Sequence, residues 1–215
     1  MITSEWIEAR MNTIINDDCL NVMKQVPDKY FDLVLTDPPY GLGDKLLVGG
    51  KNGSVVNFHK QYAKTQWEDI KPTKEVFDEI FRISKNQIIW GGNYFIDCLR
   101  PTRGILCWDK NIGEPHNFSH FELAWTSLDR PAMKYTKVND SDKQHPTQKP
   151  LRLIEFCLEY AKADKSFKVF DPFMGSGTTA VACKSLGLDW CGCELEPDYV
   201  AIANKRLEQV QGSLF

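Results

Sequence analysis

The chain has 215 residues, 42% hydrophobic and 26% charged, which suits one soluble domain with a sizeable core. No apolar run approaches the roughly 20 residues needed to cross a bilayer, and the first residues lack the charged-then-apolar pattern of a secretory signal, so a cytoplasmic protein without membrane contact is expected. A net charge of −3 excludes a globally basic nucleic-acid binder and leaves only local patches for such contact.

Ile14-Ile15 predicts a short strand, and Leu20, Met23 and Val26 follow at helical spacing. Phe31 to Thr36 reads as a buried strand that ends directly at Asp37-Pro38-Pro39-Tyr40. Residues 41–66 carry Gly41, Gly43, Gly49, Gly50 and Gly53 with few apolar anchors, and a loop of that length is usually functional or disordered. Val76, Phe77, Ile80, Phe81 and Ile83 make an amphipathic helix, followed by a strand over Gln87 to Trp90 and a turn at Gly91-Gly92. Ile105 to Trp108 and Phe121 to Trp125 are two further strands, and a polar, basic loop then runs from about Leu128 to Pro150. Pro150 introduces a helix with Leu151, Ile154, Leu158 and Ala161 on one face.

The end of the chain alternates cleanly: strand 168–170, helix about 178–186, strand 188–193, helix about 198–210. Strands alternating with helices imply an α/β fold with a mostly parallel, doubly wound sheet and helices on both faces. Seven cysteines, an odd number placed mostly in apolar segments, suit reduced core thiols rather than a disulfide framework. Cys191-Gly192-Cys193 is the one close pair; alternation along a strand would point both thiols to one face, so core is expected and no metal.

Gly175-Ser176-Gly177 between a strand and a helix starting near Thr178 has the form of a nucleotide-cofactor loop, because glycine lets the backbone turn tightly and approach a ligand closely. The next strand ends at Glu194, whose carboxylate could accept both hydroxyls of a ribose. Gly175-x-Gly177-x-x-Ala180 also fits a nicotinamide fingerprint, so this loop alone leaves dehydrogenase and methyltransferase open. Asp171-Pro172-Phe173 shifts the balance. An acid before the glycines would repel a pyrophosphate and attract the ammonium and sulfonium charges of S-adenosylmethionine.

The earlier motif, Asp37-Pro38-Pro39-Tyr40, resembles the catalytic motif of amino-methyltransferases that act on DNA bases, and its residues suit what that resemblance implies. An exocyclic base nitrogen is a poor nucleophile, since its lone pair is delocalised into the ring. Acceptors on its hydrogens would hold it and help it become tetrahedral. Asp37 offers a carboxylate, and Pro38, restricted by Pro39 to an extended conformation, aims a carbonyl. Neither proline has an N–H to compete. Tyr40 supplies a flat surface for an extruded base.

Asp37-Pro38-Pro39-Tyr40 followed far downstream by Asp171-Pro172-Phe173-Met174-Gly175-Ser176-Gly177-Thr178 resembles the amino-methyltransferases that act on DNA bases, in the permuted group whose catalytic motif precedes the cofactor loop. His145-Pro146-Thr147-Gln148-Lys149-Pro150, Asp17-Asp18-Cys19-Leu20, Trp90-Gly91-Gly92-Asn93-Tyr94-Phe95 and Phe121-Glu122-Leu123-Ala124-Trp125 extend the resemblance over most of the chain. It implies a Rossmann-like S-adenosylmethionine-dependent methyltransferase fold in a single domain over 1–215, with a catalytic half at about 12–127 and a cofactor half at about 145–210. It further implies that Asp171, Pro172, Phe173, Gly175, Ser176, Gly177 and Thr178 line the cofactor and that Glu194 binds its ribose. By the same resemblance Thr147 and Lys149 hold the methionine carboxylate, and Asp18, equally suited to cap a helix, contacts the adenine.

Aspartate in the first position of the catalytic motif is typical of adenine N6 enzymes and serine of cytosine N4 enzymes, so N6 methylation of adenine is expected, with cytosine N4 the alternative. A nicotinamide oxidoreductase and a non-catalytic DNA-binding relative are the rival classes. Larger relatives carry a sizeable target-recognition insert, whereas here only the loops 41–66 and 128–144 are available. Lys45, Lys51, Lys60, Arg130 and Lys134 in those loops are the expected contacts to double-stranded DNA. A short recognition site, or a homodimer that adds contacts, follows from so few readers.

Overall fold

The computed structural model describes residues 3–41, 71–111, 119–136 and 149–210. Within them the chain order is α1 (Glu5–Glu8), β1 (Ile14–Asn16), α2 (Cys19–Met23), β2 (Phe31–Thr36), α3 (Lys74–Ile83), β3 (Ser84–Trp90), β4 (Ile105–Asp109), β5 (Phe121–Thr126), β6 (Met133–Thr136), α4 (Leu151–Ala161), β7 (Lys168–Asp171), α5 (Thr178–Leu186), β8 (Asp189–Glu194) and α6 (Pro197–Gln209). A short 3₁₀ turn, Gly92–Tyr94, follows β3.

These strands form one sheet in the order β1-β8-β7-β2-β3-β5-β4-β6. The five from β1 to β3 are parallel, β5 runs antiparallel to both neighbours, and β6 pairs parallel with β4. Both faces are covered. Alternation along β3 sends Ile88 and Trp90 into a core shared with Leu153, Ile154 and Leu158 of α4 and Ala180 of α5. Ile89 goes to the other face, with Val76, Phe77, Ile80 and Ile83 of α3. Cys191 and Cys193 alternate into that second core and are fully buried, as their spacing implies.

Strand order reverses between β7 and β2: the chain winds from β7 outward to β8, and from β2 outward to β3. A crevice opens at the carboxyl ends of the strands at such a point, and ligands settle there in open α/β sheets. The parallel pairing puts Asn16, Glu194, Asp171, Thr36 and Trp90 on that same edge.

Three elements differ from the sequence reading. β3 begins at Ser84 rather than Gln87, because Ser84 and Asn86 pair with Phe31 and Leu33 despite their polarity. β6 falls inside the predicted basic loop; its side chains are mostly exposed, so it carries no apolar signal, and pairing to β4 makes it a strand. The one-turn α1 at the start was not expected. The loop 41–66 lies outside the described residues except for Gly41. No helix among the described residues is long and apolar enough to cross a membrane.

Candidate active site

Asp171 ties the two halves of the site together across the crevice. Its Oδ1 accepts from the Thr36 hydroxyl at 2.7 Å and from the Phe173 amide at 3.0 Å, and its Oδ2 accepts from the Thr179 hydroxyl at 2.7 Å. Burial pushes this carboxyl up to about 6, and the donors from Thr179, Thr36 and Phe173 pull against that rise. No cation holds it. Every donor is neutral and comes from the end of a strand, the loop or the first turn of α5.

The loop after Asp171 is fixed at several points. Gly175 N–H donates to Glu194 Oε2 at 2.8 Å, and Glu196 N–H to Oε1 at 2.9 Å, which binds the loop to the end of β8. Burial raises the Glu194 carboxyl above its ordinary value, against those amide donors. Arg206 of α6 donates to the Ser176 carbonyl, to Ser176 Oγ at 3.1 Å and to Thr178 Oγ1 at 3.2 Å. The two glycines differ. Gly177 has φ +83°, and a Cβ there would sit 2.7 Å from Ala203 Cβ, so it allows the loop to close on α6. Gly175 has φ +53° with nothing within 4 Å of its Cβ position, so its positive φ faces open space.

On the other side of the crevice the site is made of charges. Asp37 Oδ1 accepts from Tyr40 Oη at 2.6 Å, and Lys149 Nζ donates to Asp37 Oδ2 at 2.6 Å. The same ammonium lies 2.9 Å from Glu122 Oε2, while Lys110 Nζ lies 2.6 Å from Glu122 Oε1. Lys149 is almost wholly buried and sits 5.4 Å above the Trp90 ring and 5.8 Å from the Tyr40 ring. Burial draws the Lys149 ammonium down, but Asp37, Tyr40 and Glu122 outweigh it and hold the ammonium well above its usual range. Burial raises the Glu122 carboxyl, and Lys149 and Lys110 more than offset this, bringing it to about 2. For Asp37, burial outweighs Lys149, and Glu122 adds to the rise, so its carboxyl lies above the ordinary aspartate value.

Tyr40 is held in place by the turn after β3. Its ring stacks on Tyr94 with centroids 4.7 Å apart, and a Cβ on Gly91 (φ +67°) would fall 2.1 Å from Tyr40 Cε1. The residue at 91 must therefore lack a side chain, and the Trp90 to Phe95 segment forms the floor beneath the catalytic motif.

A family profile described as DNA methylase matches residues 58–205, well over half the chain. The chain belongs to the DNA methylase family. It is 25% identical to the type II methyltransferase M.HinfI of Haemophilus influenzae, over 96% of this chain and 71% of that protein. It is also 25% identical to the type II methyltransferase M2.DpnII of Streptococcus pneumoniae, over 97% of this chain and 94% of that one. The crystal structure of the M1.HpyAVI–SAM complex shares the fold, with a TM-score of 0.61 and 22% identity over 91% of this chain and 99% of that chain.

Within this methylase, the residues singled out from the sequence fall as follows. Asp37, Pro38, Pro39 and Tyr40 follow β2 directly, and Asp171 to Thr178 lie beside them across the switch point. Asp18 caps α2, its Oδ1 accepting from Leu20 N–H at 2.8 Å, on the strand-end edge where Asn16 pairs with Glu194. Lys149, expected to hold the methionine carboxylate, donates to Asp37. Thr147, Lys45, Lys51 and Lys60 lie outside the described residues.

Lys134, exposed on β6, pairs with Asp109 at 3.2 Å at the end of β4. Arg130 is elsewhere: it precedes β6 on the side where β4 begins, and its guanidinium donates to the Tyr160 carbonyl near the end of α4. That placement is away from the catalytic edge, and packing against α4 accounts for it.

Sequence reading assigned no role to Thr36, Thr179, Glu122, Lys110, Tyr94 or Arg206. One signal was available. Glu122 interrupts an otherwise apolar strand already noted for its resemblance, and a lone acid in such a strand needs a buried cation.

Proposed function

We propose that this chain is an S-adenosylmethionine-dependent DNA methyltransferase that methylates the N6 amine of adenine in a short double-stranded site. The observation that carries the reading is the meeting of Asp37 and the Asp171 loop at one crevice, joined by the Thr36–Asp171 hydrogen bond. A methyl donor and an acceptor amine must occupy adjacent places, and these two motifs provide them.

The residues of the cofactor side fit the proposed ligand. Open space over Gly175 leaves room for a group against the backbone. Each Glu194 oxygen uses one acceptor position on a loop amide and keeps another for a ribose hydroxyl. The M1.HpyAVI structure, which shares this fold, is a SAM complex. When bound, S-adenosylmethionine supplies an electrophilic methyl group on a sulfonium.

The chain does the rest by holding atoms. Asp37 and the Pro38 carbonyl accept the two amine hydrogens, which steers the nitrogen lone pair toward the methyl group. Asp37, raised by burial, is basic enough to receive the proton that the methylated nitrogen must lose. Tyr40, fixed by Gly91 and Tyr94, offers its ring to the extruded base.

Aspartate rather than serine at position 37 supports adenine over cytosine. The test is to sequence DNA from cells expressing the protein, with detection of modified bases. N6-methyladenine within a short motif is expected. N4-methylcytosine would overturn the choice of base, and unmodified DNA together with NAD binding would overturn the whole reading.

A further inference from the structure

The Lys149 ammonium stands between two carboxylates: Asp37 at 2.6 Å and Glu122 at 2.9 Å. Both oxygens of Asp37 already accept a bond, one from Lys149 and one from Tyr40. An ammonium held by Asp37 alone would compete with the target amine for Oδ2 and would also weaken Asp37 as a base. Glu122 meets no substrate in the reading above, yet it places a half-buried negative charge at this point. Lys110 Nζ lies 2.6 Å from its other oxygen, which anchors the carboxylate with Oε2 2.9 Å from the Lys149 ammonium.

We infer that Glu122 is a positioning residue: it shares the Lys149 ammonium with Asp37, so that Asp37 stays free to accept the target amine and basic enough to take its proton. This rests on the methyltransferase reading and deepens it. In the step concerned, the amine nitrogen forms a bond to the methyl carbon while the carbon–sulfur bond breaks, its electron pair returning to sulfur. The methylated nitrogen then carries a positive charge and passes one proton to the Asp37 carboxylate, from which it leaves to water.

Every charged or titratable group around Asp37 in the described residues bears on the prediction. Lys149, just before α4, lowers its basicity; Glu122 on β5 raises it; Tyr40 donates to it; Lys110, after β4, faces Glu122; and Asp171 at the end of β7 is close enough to interact with Asp37. Removing the Glu122 charge leaves Lys149 to Asp37 alone. Asp37 then ionises at lower pH but is a weaker proton acceptor.

The experiment is single-turnover methyl transfer by Glu122→Gln across pH, with S-adenosylmethionine and DNA both saturating and cofactor affinity measured by calorimetry. The expected result is a rate at least about tenfold below the parent on the pH plateau, an acid limb moved to lower pH, and cofactor affinity within about twofold of the parent. Glu122→Asp, which keeps the charge, restores part of the rate and returns the limb toward its parent position. Lys149→Met moves the limb the other way, to higher pH. An unmoved limb and an unchanged rate in Glu122→Gln overturn the inference, as does a rate loss matched by lost cofactor affinity, the mark of a merely structural residue. A parent that transfers no methyl group overturns the functional reading and the inference together. An active parent with an unresponsive Glu122→Gln overturns the inference alone.

Discussion

The two sides of the crevice are stabilised by different physics. The cofactor side is held mostly by neutral donors over short range: hydroxyls of Thr36 and Thr179 and amides of Phe173, Gly175 and Glu196, with Arg206 the one charged donor among the described residues. The catalytic side is a half-buried ionic cluster around the buried Lys149, in which Asp37, Lys149, Glu122 and Lys110 arrive from four separate segments. Neutral donors gathered on the Asp171 and Glu194 carboxyls fix a shape. A shared ammonium instead sets how strongly a carboxylate accepts. The first side should therefore answer most to changes of bulk, and the second to changes of charge.

The sharpest way to break that comparison is Asp37→Ala. It removes an acceptor that matters mainly in the transition state, so single-turnover methyl transfer should fall by about 10²-fold or more with cofactor affinity nearly unchanged. Comparable losses in rate and in affinity would show that the two sides are not separable.

pH should reach the reaction rate through the catalytic side, while the raised Asp171 and Glu194 carboxyls make cofactor binding pH-dependent as well, which saturating cofactor offsets. The Asp37 carboxyl is raised by burial, so it protonates at a pH above the ordinary aspartate range and loses its acceptor as pH falls through that value. Below this point the rate should drop by about tenfold per pH unit, with its acid limb above that of a solvated aspartate. A pH–rate profile at saturating cofactor checks this, and a flat profile down to the ordinary aspartate range would contradict it.

Bulk is the test of the other side. Gly175→Val places a side chain in open space at positive φ, so it fills the ligand's place without a clash in the fold. Calorimetry should show S-adenosylmethionine binding weakened by about tenfold or more, in a protein that stays folded but loses about 1–2 kcal/mol of stability to the left-handed backbone at position 175. Arg206→Met should do the reverse. It strips the donors from Ser176 and Thr178, lowering stability in urea by about 1–3 kcal/mol with a smaller effect on cofactor affinity.

How much was readable in the sequence follows the same division. The β7–α5–β8 unit is local: alternating apolar runs, two glycines and a terminal acid lie within thirty residues or so, and the structure reproduces the predicted elements with ends shifted by a residue or two. The Asp37 cluster is not local. Nothing in the spacing says that Lys149 will reach Asp37, or that Glu122 and Lys110 will converge on it, because sheet order alone brings β2, β4 and β5 within reach. β6 stayed hidden for a related reason: its strand character comes from pairing with β4, not from its own residues.

The smallest expected effect separates two cations that sequence reading had placed together. Lys134 makes one exposed ion pair, so Lys134→Ala should leave stability unchanged within about 1 kcal/mol and flatten the salt dependence of DNA binding by about one. Arg130 is fixed to α4, so Arg130→Ala should lower the unfolding midpoint and leave the salt slope as it was. Filter binding over a salt series, with thermal unfolding alongside, distinguishes them.

The central claim is that Asp37 presents an adenine N6 amine to a methyl donor seated on the Asp171 loop. It is tested most directly by incubating the purified protein and its Asp37→Ala variant with methyl-labelled S-adenosylmethionine and unmodified duplex DNA, then digesting to nucleosides. The account predicts label in N6-methyldeoxyadenosine from the parent and almost none from the variant. Label in N4-methyldeoxycytidine, or equal label from both proteins, would contradict it.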